Sequence, residues 1–502
     1  MTTTLEYLQT LNLYVPPPVA RLAFTNPHQQ LAGTWRRFHA ITIFADISGF
    51  TPLAEALASS GLRGAEELNA ILNQVFESLI TTIASHGGQV VSFSGDALSL
   101  IWPCEPENMK QTVWRVLQAA FAMQSTIAGF TVIPTSQGEF DILMKVGISA
   151  GELLEVHAGG ELGRLEYVLA GAPMANMSKA ENLAEAGEIV VDENTWQLAN
   201  GLEHDTVKKI NDATNGQQLS LADSYIFGEK AAPGFYRITH LWSRLPLMPL
   251  TSPDWSQLDS IAATKVATTL RSYIPAAISS VLENGLNNTL TELRSMAVCF
   301  VGFSGIDYNN DPEAGPRLNN FLRDAQKAIY RYEGSINKLT VGDKGSVLLV
   351  LFGAPPLFHE DDEVRAMACA LDLGKVAARH QLELRVGLTA GPLFLGPLGA
   401  SRRREFTVIG DLVNLAVRLM QKAEPGQVWV DESVQSKAER FFEYQDLGQI
   451  QVKGRTKPRH VYLALREKEQ SQKMSMMSHL LQGQKFTGQD KGLEIAGALP
   501  TS

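Results

Sequence analysis

The 502-residue sequence predicts an α+β fold made of two copies of one unit, each with helices laid on a mostly antiparallel sheet. Three observations carry this expectation. Ordered segments recur: Ile41-Thr-Ile-Phe-Ala-Asp46-Ile-Ser-Gly-Phe50 is echoed by Ala297-Val-Cys-Phe-Val-Gly302-Phe-Ser-Gly305. Phe93-Ser-Gly-Asp96 answers Val341-Gly-Asp343, Lys145–Gly151 answers Arg385–Gly391, and Glu166–Gly171 answers Glu405–Gly410. The offset between copies shrinks steadily from 256 to 239 residues, as for one repeated unit with small loop differences.

Within each unit the order reads strand, long helix, hairpin, helix, strand, strand, helix, strand. Residues 40–47 are apolar and partly β-branched, which predicts a strand. From Leu62 to His86, Leu68, Ile71, Leu72, Val75, Leu79 and Ile83 keep helical spacing, and Gly87-Gly88 stops the helix. Val90–Phe93 and Ala97–Trp102 flank a tight turn at Gly95-Asp96, a hairpin with an acid at its tip. The lead-ins repeat as well: Tyr14-Val-Pro16 with Val19 and Leu22 resembles Tyr273-Ile-Pro275 with Ile278 and Val281. The expected organisation is a lead-in over 1–37, a first domain over 38–242, a linker over 243–292, a second domain over 293–467 and a polar tail over 468–502.

Composition bounds the function. Apolar residues make up 45% and charged residues 19%, enough for real cores. A net charge of −10 with no basic stripe argues against a general nucleic-acid binder. Cys104, Cys299 and Cys369 lie far apart, which predicts neither a disulfide framework nor a zinc site. No apolar run approaches the roughly 20 residues that span a bilayer, and the start has no signal-peptide pattern. The expected location is the cytoplasm.

The chemistry is read from differences between the copies. Asp46 ends a strand and the chain turns through Ile47-Ser48-Gly49 into a helix, placing a carboxylate near free N–H groups. Asp96 sits on the neighbouring hairpin tip, and two such acids can share two divalent ions. Either acid alone also fits an ordinary turn or helix cap. Asp96 is matched by Asp343, but Asp46 by Gly302, so the second unit cannot build the same pair. The second unit has Lys338, Thr407 and Asn414 where the first has Val91, Val168 and Ala175; Arg418 is matched by Lys179. Asn414 and Arg418, four apart, share a helix face and could hold a sugar oxygen and developing phosphoryl charge, though an exposed helix face also explains them. The copies read as one composite site and one abandoned one.

Phe44-Ala-Asp46-Ile-Ser-Gly-Phe-Thr51, Phe93-Ser-Gly-Asp96 and Phe406-Thr-Val-Ile-Gly410 with Asn414 and Arg418 resemble the class III nucleotidyl cyclases. The tandem arrangement looks most like the soluble, bicarbonate-responsive adenylyl cyclases. That resemblance implies two ferredoxin-like, palm-type domains forming a pseudo-twofold intramolecular heterodimer that converts ATP to cyclic AMP and pyrophosphate. It implies that Asp46, Asp96 and the Ile47 carbonyl bind two divalent metal ions (Mg or Mn, with Ca an option at one site), beside the phosphate-side residues Ser48, Gly49, Phe50 and Thr51. Lys338 and Thr407 would read adenine, Asn414 would orient the ribose and Arg418 would stabilise the transition state. Lys145 stands where the family has a basic residue near the phosphates, and Lys453 matches a second such position more loosely. A Lys donor suits adenine N1 and a Thr hydroxyl can accept from the adenine amino group, so ATP is favoured over GTP. The rival readings are a catalytically silent nucleotide-sensing module and a guanylyl cyclase.

The chain departs from the bicarbonate-responsive pattern. The cations of that site align with Ser92, Glu166 and Ser178, which predicts weak or absent bicarbonate stimulation. The abandoned site remains a place for a small regulator, and fused or associated regulatory domains are in keeping with the family. His359-Glu-Asp-Asp-Glu363 is better read as acids opening a helix than as a metal cluster. Arg402-Arg-Arg404 reads as a solvated turn, and no phosphate-binding G-x-x-x-x-G-K-[ST] segment occurs.

Overall fold

The computed structural model describes residues 4–58, 61–130, 132–200, 225–243, 245–275, 278, 282, 292–451 and 458–468. Helices α1 (Thr4–Tyr14) and α2 (Pro17–Thr25) precede the first unit. That unit runs β1 (Trp35–Ser48), α3 (Phe50–Ala58), α4 (Leu62–Ser85), β2 (Gln89–Ser94), β3 (Ala97–Cys104) and α5 (Met109–Ala128). It continues with the small hairpin β4 (Val132–Thr135) and β5 (Gly138–Asp141), then β6 (Leu143–Gly159), β7 (Leu165–Ala170), α6 (Ala172–Leu183), β8 (Ile189–Asp192), α7 (Glu193–Asn200), β9 (Tyr225–Ala232) and β10 (Phe235–Trp242). Helix α8 (Ser260–Arg271) lies between the units. The second unit repeats the plan with β11 (Glu292–Ser304), α9 (Ala314–Arg331), β12 (Ser335–Gly342), β13 (Gly345–Phe352), α10 (Asp362–Arg379), β14 (Glu383–Gly399), β15 (Arg404–Ile409), α11 (Asp411–Lys422), β16 (Val428–Asp431), α12 (Glu432–Ala438), β17 (Phe442–Ile450) and β18 (Arg459–Glu467).

Both units build an eight-stranded sheet with one topology. The orders are β2-β3-β1-β6-β8-β10-β9 and β12-β13-β11-β14-β16-β18-β17, with β7 on β6 and β15 on β14. Among the described residues only β6–β8 and β14–β16 pair in parallel. The expected alternation of strands and helices is therefore observed, with an added hairpin at the end of each unit. On α4 the predicted apolar face is the buried one: Leu72, Val75, Leu79 and Ile83 lie in the core.

The two cores are shared. Leu398 and Ala400, at and just beyond the far end of β14, belong to the first unit's core. Leu154, Val156, Ala158 and Val168, from β6 and β7, belong to the second unit's core. Each loop so inserted has its backbone satisfied by the other unit's long helix. Gly399 N donates to Asn73 Oδ1 at 2.9 Å and Ser401 N to Glu77 Oε2 at 2.6 Å on α4. In mirror image, Gly159 N donates to Asn319 Oδ1 at 3.0 Å and Glu161 N to Gln326 Oε1 at 3.1 Å on α9. Backbone groups drawn away from water need such partners, and these reciprocal bonds tie the two halves together in matching fashion.

The two lead-ins meet. Leu8, Leu11, Tyr14 and Val19 share a third apolar cluster with Val266, Leu270, Tyr273, Ile274 and Ile278. Tyr273 closes it with a polar relay: its hydroxyl lies 2.5 Å from His157 Nδ1, whose Nε2 lies 3.1 Å from Glu155 Oε1. Cys104, Cys299 and Cys369 are free thiols. Among the described residues no helix is long and apolar enough to cross a membrane.

Candidate active site

Asp46 stands near the end of β1, opposite Ala97 of β3 on one side and Lys145 of β6 on the other. The strand runs two residues past Asp46, to Ser48, so the turn into α3 falls on Gly49 alone. Gly49 has φ +94°, and a Cβ there would meet the Asp141 carbonyl oxygen at 2.2 Å. Only glycine fits, and the chain enters α3 directly after it, with Phe50 buried in the first unit's core. The β2–β3 turn is Gly95-Asp96, with Gly95 at φ +69°. Asp96 therefore directly precedes the residue facing Asp46.

The two carboxylates disturb each other. Burial raises the Asp96 pKa most, with Asp46 and then Glu181 adding to it. Burial also raises Asp46, opposed by Lys145 and Lys344. Glu181 on α6, 7% exposed, is pushed up to about 7 by burial and by Asp46. Glu181 was not singled out in the sequence, yet the repeat carries the signal: its counterpart is Met420, next to the residue that replaces Asp46. A Cβ on Gly302 would meet Met420 Sδ at 3.0 Å and Arg385 Cγ at 3.3 Å. In the second unit a thioether and an arginine stem thus occupy the acid's space.

The hairpins correct one expected equivalence. Gly302 faces Val347, whereas Asp46 faces Ala97, and the second turn is Asp343-Lys344 between paired Gly342 and Gly345. The second hairpin hence projects two residue pairs further, Gly342 with Gly345 and Val341 with Ser346. Asp343 matches Asp96 in motif but not in register, and it accepts from Asn182 Nδ2 of α6 at 3.3 Å.

The second unit's residues converge from β12, β15 and α11. Lys338 Nζ donates to Glu405 Oε1 and, across the interface, to the Phe93 carbonyl, both at 2.5 Å. Thr407, 2% exposed, points at Asn337, with its Oγ1 3.4 Å from Asn337 Oδ1. Asn337 Nδ2 in turn donates to the Phe406 carbonyl at 2.9 Å. Asn337 and Glu405 are further residues not expected from the motifs. Asn414 is exposed and Arg418 half-buried on one face of α11, as their spacing predicts. The Thr51 side chain and Lys453 lie outside the described residues.

Arg403 overturns the expectation of a solvated Arg402–Arg404 turn. It is 4% exposed, donates from Nε to Val90 O at 3.3 Å and from Nη2 to Val91 O at 3.4 Å, and lies over the Phe93 ring. Its place along the chain explains this: Arg403 and Glu405, two apart, both point toward β2 of the other unit. The acids of His359–Glu363 behave as expected at a helix start. Asp362 accepts from the His359 amide at 3.1 Å, and Glu363 pairs with Lys437 at 2.5 Å.

Near the pseudo-twofold axis lies a cavity of about 70 Å³, lined by Ser92, Arg164, Glu166, Lys338, Arg403 and Glu405 among others. Glu166 sits 2.8 Å from Arg164, and burial pushes its carboxyl up to about 7.

Comparison with known proteins agrees with this architecture. The family model of the adenylate and guanylate cyclase catalytic domain matches residues 35–219 and 300–465. Adenylate cyclase type 10 of Homo sapiens is 28% identical over 406 residues, 78% of this chain and 24% of the relative. The Rattus norvegicus protein of the same name is 26% identical over 449 residues, 86% of this chain and 27% of the relative. The chain thus spans about a quarter of the length of these relatives. A solved class III adenylyl cyclase-like ATP-binding protein from Pseudomonas aeruginosa shares the fold across both units, with TM-score 0.54 at 13% identity, covering 84% of this chain and 92% of its own. The chain therefore belongs to the family of adenylate and guanylate cyclase catalytic domains and carries that domain twice.

Proposed function

We propose that the chain converts ATP to 3′,5′-cyclic AMP and pyrophosphate at one composite site, with the acids of the first unit and the base- and phosphate-binding side chains of the second. The observation that carries this reading is the bond from Lys338 to the Phe93 carbonyl, three residues before Asp96. It sets a purine-edge donor of one unit against the acid-bearing hairpin of the other.

The donor set fits hard divalent ions: two carboxylates, both raised by burial and Asp96 further by Asp46, beside the Ile47 carbonyl. Among the described residues no group of three or more His, Cys, Asp and Glu side chains converges as a metal cage. Asp46 and Asp96 would therefore hold Mg or Mn together with substrate phosphates, the usual arrangement for such ions. When bound, the ions acidify the ribose 3′-hydroxyl and neutralise charge on the triphosphate. Lys145, directly across from Asp46, adds a positive charge for the phosphates. Lys338 offers an N–H to adenine N1, and Thr407 turns its hydroxyl toward the same edge. Asn414 orients the ribose, and Arg418 donates to the oxygens that gain charge as the α-phosphoryl group transfers. The degenerate site, with its adjoining cavity, is the place for a small regulator, and the relatives' greater length leaves room for regulatory domains.

The test is direct. Purified chain with Mg or Mn is offered ATP or GTP, and cyclic products are quantified. Cyclic AMP made in preference to cyclic GTP-derived product, and lost in Asp46→Ala, is the expected result. No product from ATP, or an unimpaired Asp46→Ala variant, sinks the reading.

A further inference from the structure

We infer that Glu405 is a positioning residue for base selection: its carboxylate pins the Lys338 ammonium to the backbone of β2, the strand that leads to Asp96. The inference rests on the cyclase reading above. Strand β2 is the edge of the first sheet, so its outward backbone groups need partners. The second unit supplies them from side chains. Phe93 N donates to Glu405 Oε2 at 3.2 Å, and Phe93 O accepts from Lys338 Nζ at 2.5 Å. Lys338 also donates to Glu405 Oε1 at 2.5 Å, which closes a ring of three bonds around one residue. The Val90 and Val91 carbonyls take Arg403, whose Nη2 is 3.7 Å from Glu405 Oε2. Lys338 and Glu405 are mostly buried, at 17% and 16% side-chain exposure.

A free lysine head samples many rotamers and makes a poor ruler. Here two of its three protons are committed, and the third has a fixed direction. A fixed N–H at the purine N1 position favours adenine, whose N1 accepts, over guanine, whose N1 carries a proton. A lysine released from Glu405 could swing aside and tolerate guanine. The mirror copy separates this role from scaffolding. Glu166 also takes a backbone N–H of the opposing strand, from Leu339, yet its ion-pair partner is Arg164, with Lys338 acting on it only through space, and no lysine stands at Ser92, the strand position that matches Lys338. Acid-to-edge bonding is thus built twice, and the grip on a purine-facing lysine once.

The experiment uses the full chain and initial rates with ATP and with GTP at saturating Mn. Glu405→Gln keeps an oxygen for the Phe93 amide and removes the charge that holds Lys338. It should raise the ATP KM about tenfold, change kcat less than about threefold and cut the ATP-to-GTP ratio of kcat/KM about tenfold, the scale of one charge-assisted hydrogen bond. Glu405→Ala should lower the ratio at least as far, whereas Glu166→Gln should leave it within about twofold because that acid holds no purine-facing donor. An unchanged KM and ratio in Glu405→Gln overturns the inference, as does an equal loss of ratio in Glu166→Gln, which would mean damaged docking alone. A parent chain inactive on both nucleotides overturns the cyclase reading and this inference with it; an active parent with unaltered variants overturns the inference only.

Discussion

At the end of β1 the first unit presents Asp46, while the second presents Gly302 at the same point of β11. Around Asp46 stand Lys145 and Glu181; around Gly302 stand Arg385 and Met420, which fill the space a side chain would take. The clefts also differ in how they are covered. On the mirror side, Asn309 of the second unit accepts from the Ala172 amide at 2.6 Å and caps α6, while the longer hairpin docks Asp343 on Asn182. On the other side, α11 keeps Asn414 exposed. Identical topology thus leaves room for the opposite uses proposed above: the two clefts differ by a handful of charges and by two residue pairs of hairpin length.

Breaking the acid pair should give the largest effect. Asp46→Ala is expected to lower cyclic AMP formation by more than about 1,000-fold, since both ions lose a shared carboxylate. Arg418→Ala should reduce kcat by about 100- to 1,000-fold with little change in KM, as for loss of one transition-state donor. The mirror substitution Lys179→Ala should stay within about twofold of the parent, its residue lying on the closed side. Comparable losses from both variants, in the same product assay, would erase the proposed division between the halves.

The buried acids distinguish the halves by pH. Glu166 has a native pKa near 7, raised by burial above its unfolded value of 4.5. Between those values the native state holds a proton that the unfolded chain does not, so stability falls as pH rises through 7. From pH 6 to pH 8 the parent should lose about 1.4 kcal/mol relative to Glu166→Gln, which has nothing to titrate there. Denaturant midpoints of both chains across that range measure it; parallel pH profiles would be the contrary result. A smaller effect is expected from uncapping α6. Asn309→Ala should cost about 1 kcal/mol of stability while leaving catalysis within about twofold. The smallest is bicarbonate, for which a dose curve at fixed pH should be flat within about twofold, because Glu166 and the hydroxyls of Ser92 and Ser178 offer an anion little attraction. Several-fold activation would show that the neighbouring Arg164 and Arg403 outweigh them.

Most of the scaffold was legible because the repeat multiplies each local signal. The period of α4, the glycines after it and the acid-tipped hairpin each point to the element found. Register was not legible: Asp96 and Asp343 match as motifs, and only strand pairing reveals that one hairpin is longer. The residues missed share a physical reason. Arg403 and Glu405 act across the interface, while Glu181 and Asn337 meet groups from distant elements of their own unit, and sequence pattern reports which face of an element is apolar, not what another element brings to it. Arg403 looked solvated because three consecutive arginines usually are; its burial depends on the edge of β2 needing donors.

The reciprocal insertion of β6 and β14 has a bearing on inheritance. Substitutions such as glycine for the acid at position 302 cost the fold little, because neighbouring side chains fill the space. Deleting the far strand of either half would strip apolar cover from the other half's core. A duplicated unit joined in this way can change its site residue by residue but cannot be discarded, so the copy with Gly302 persists as scaffold for the copy with Asp46 and stays open to new uses.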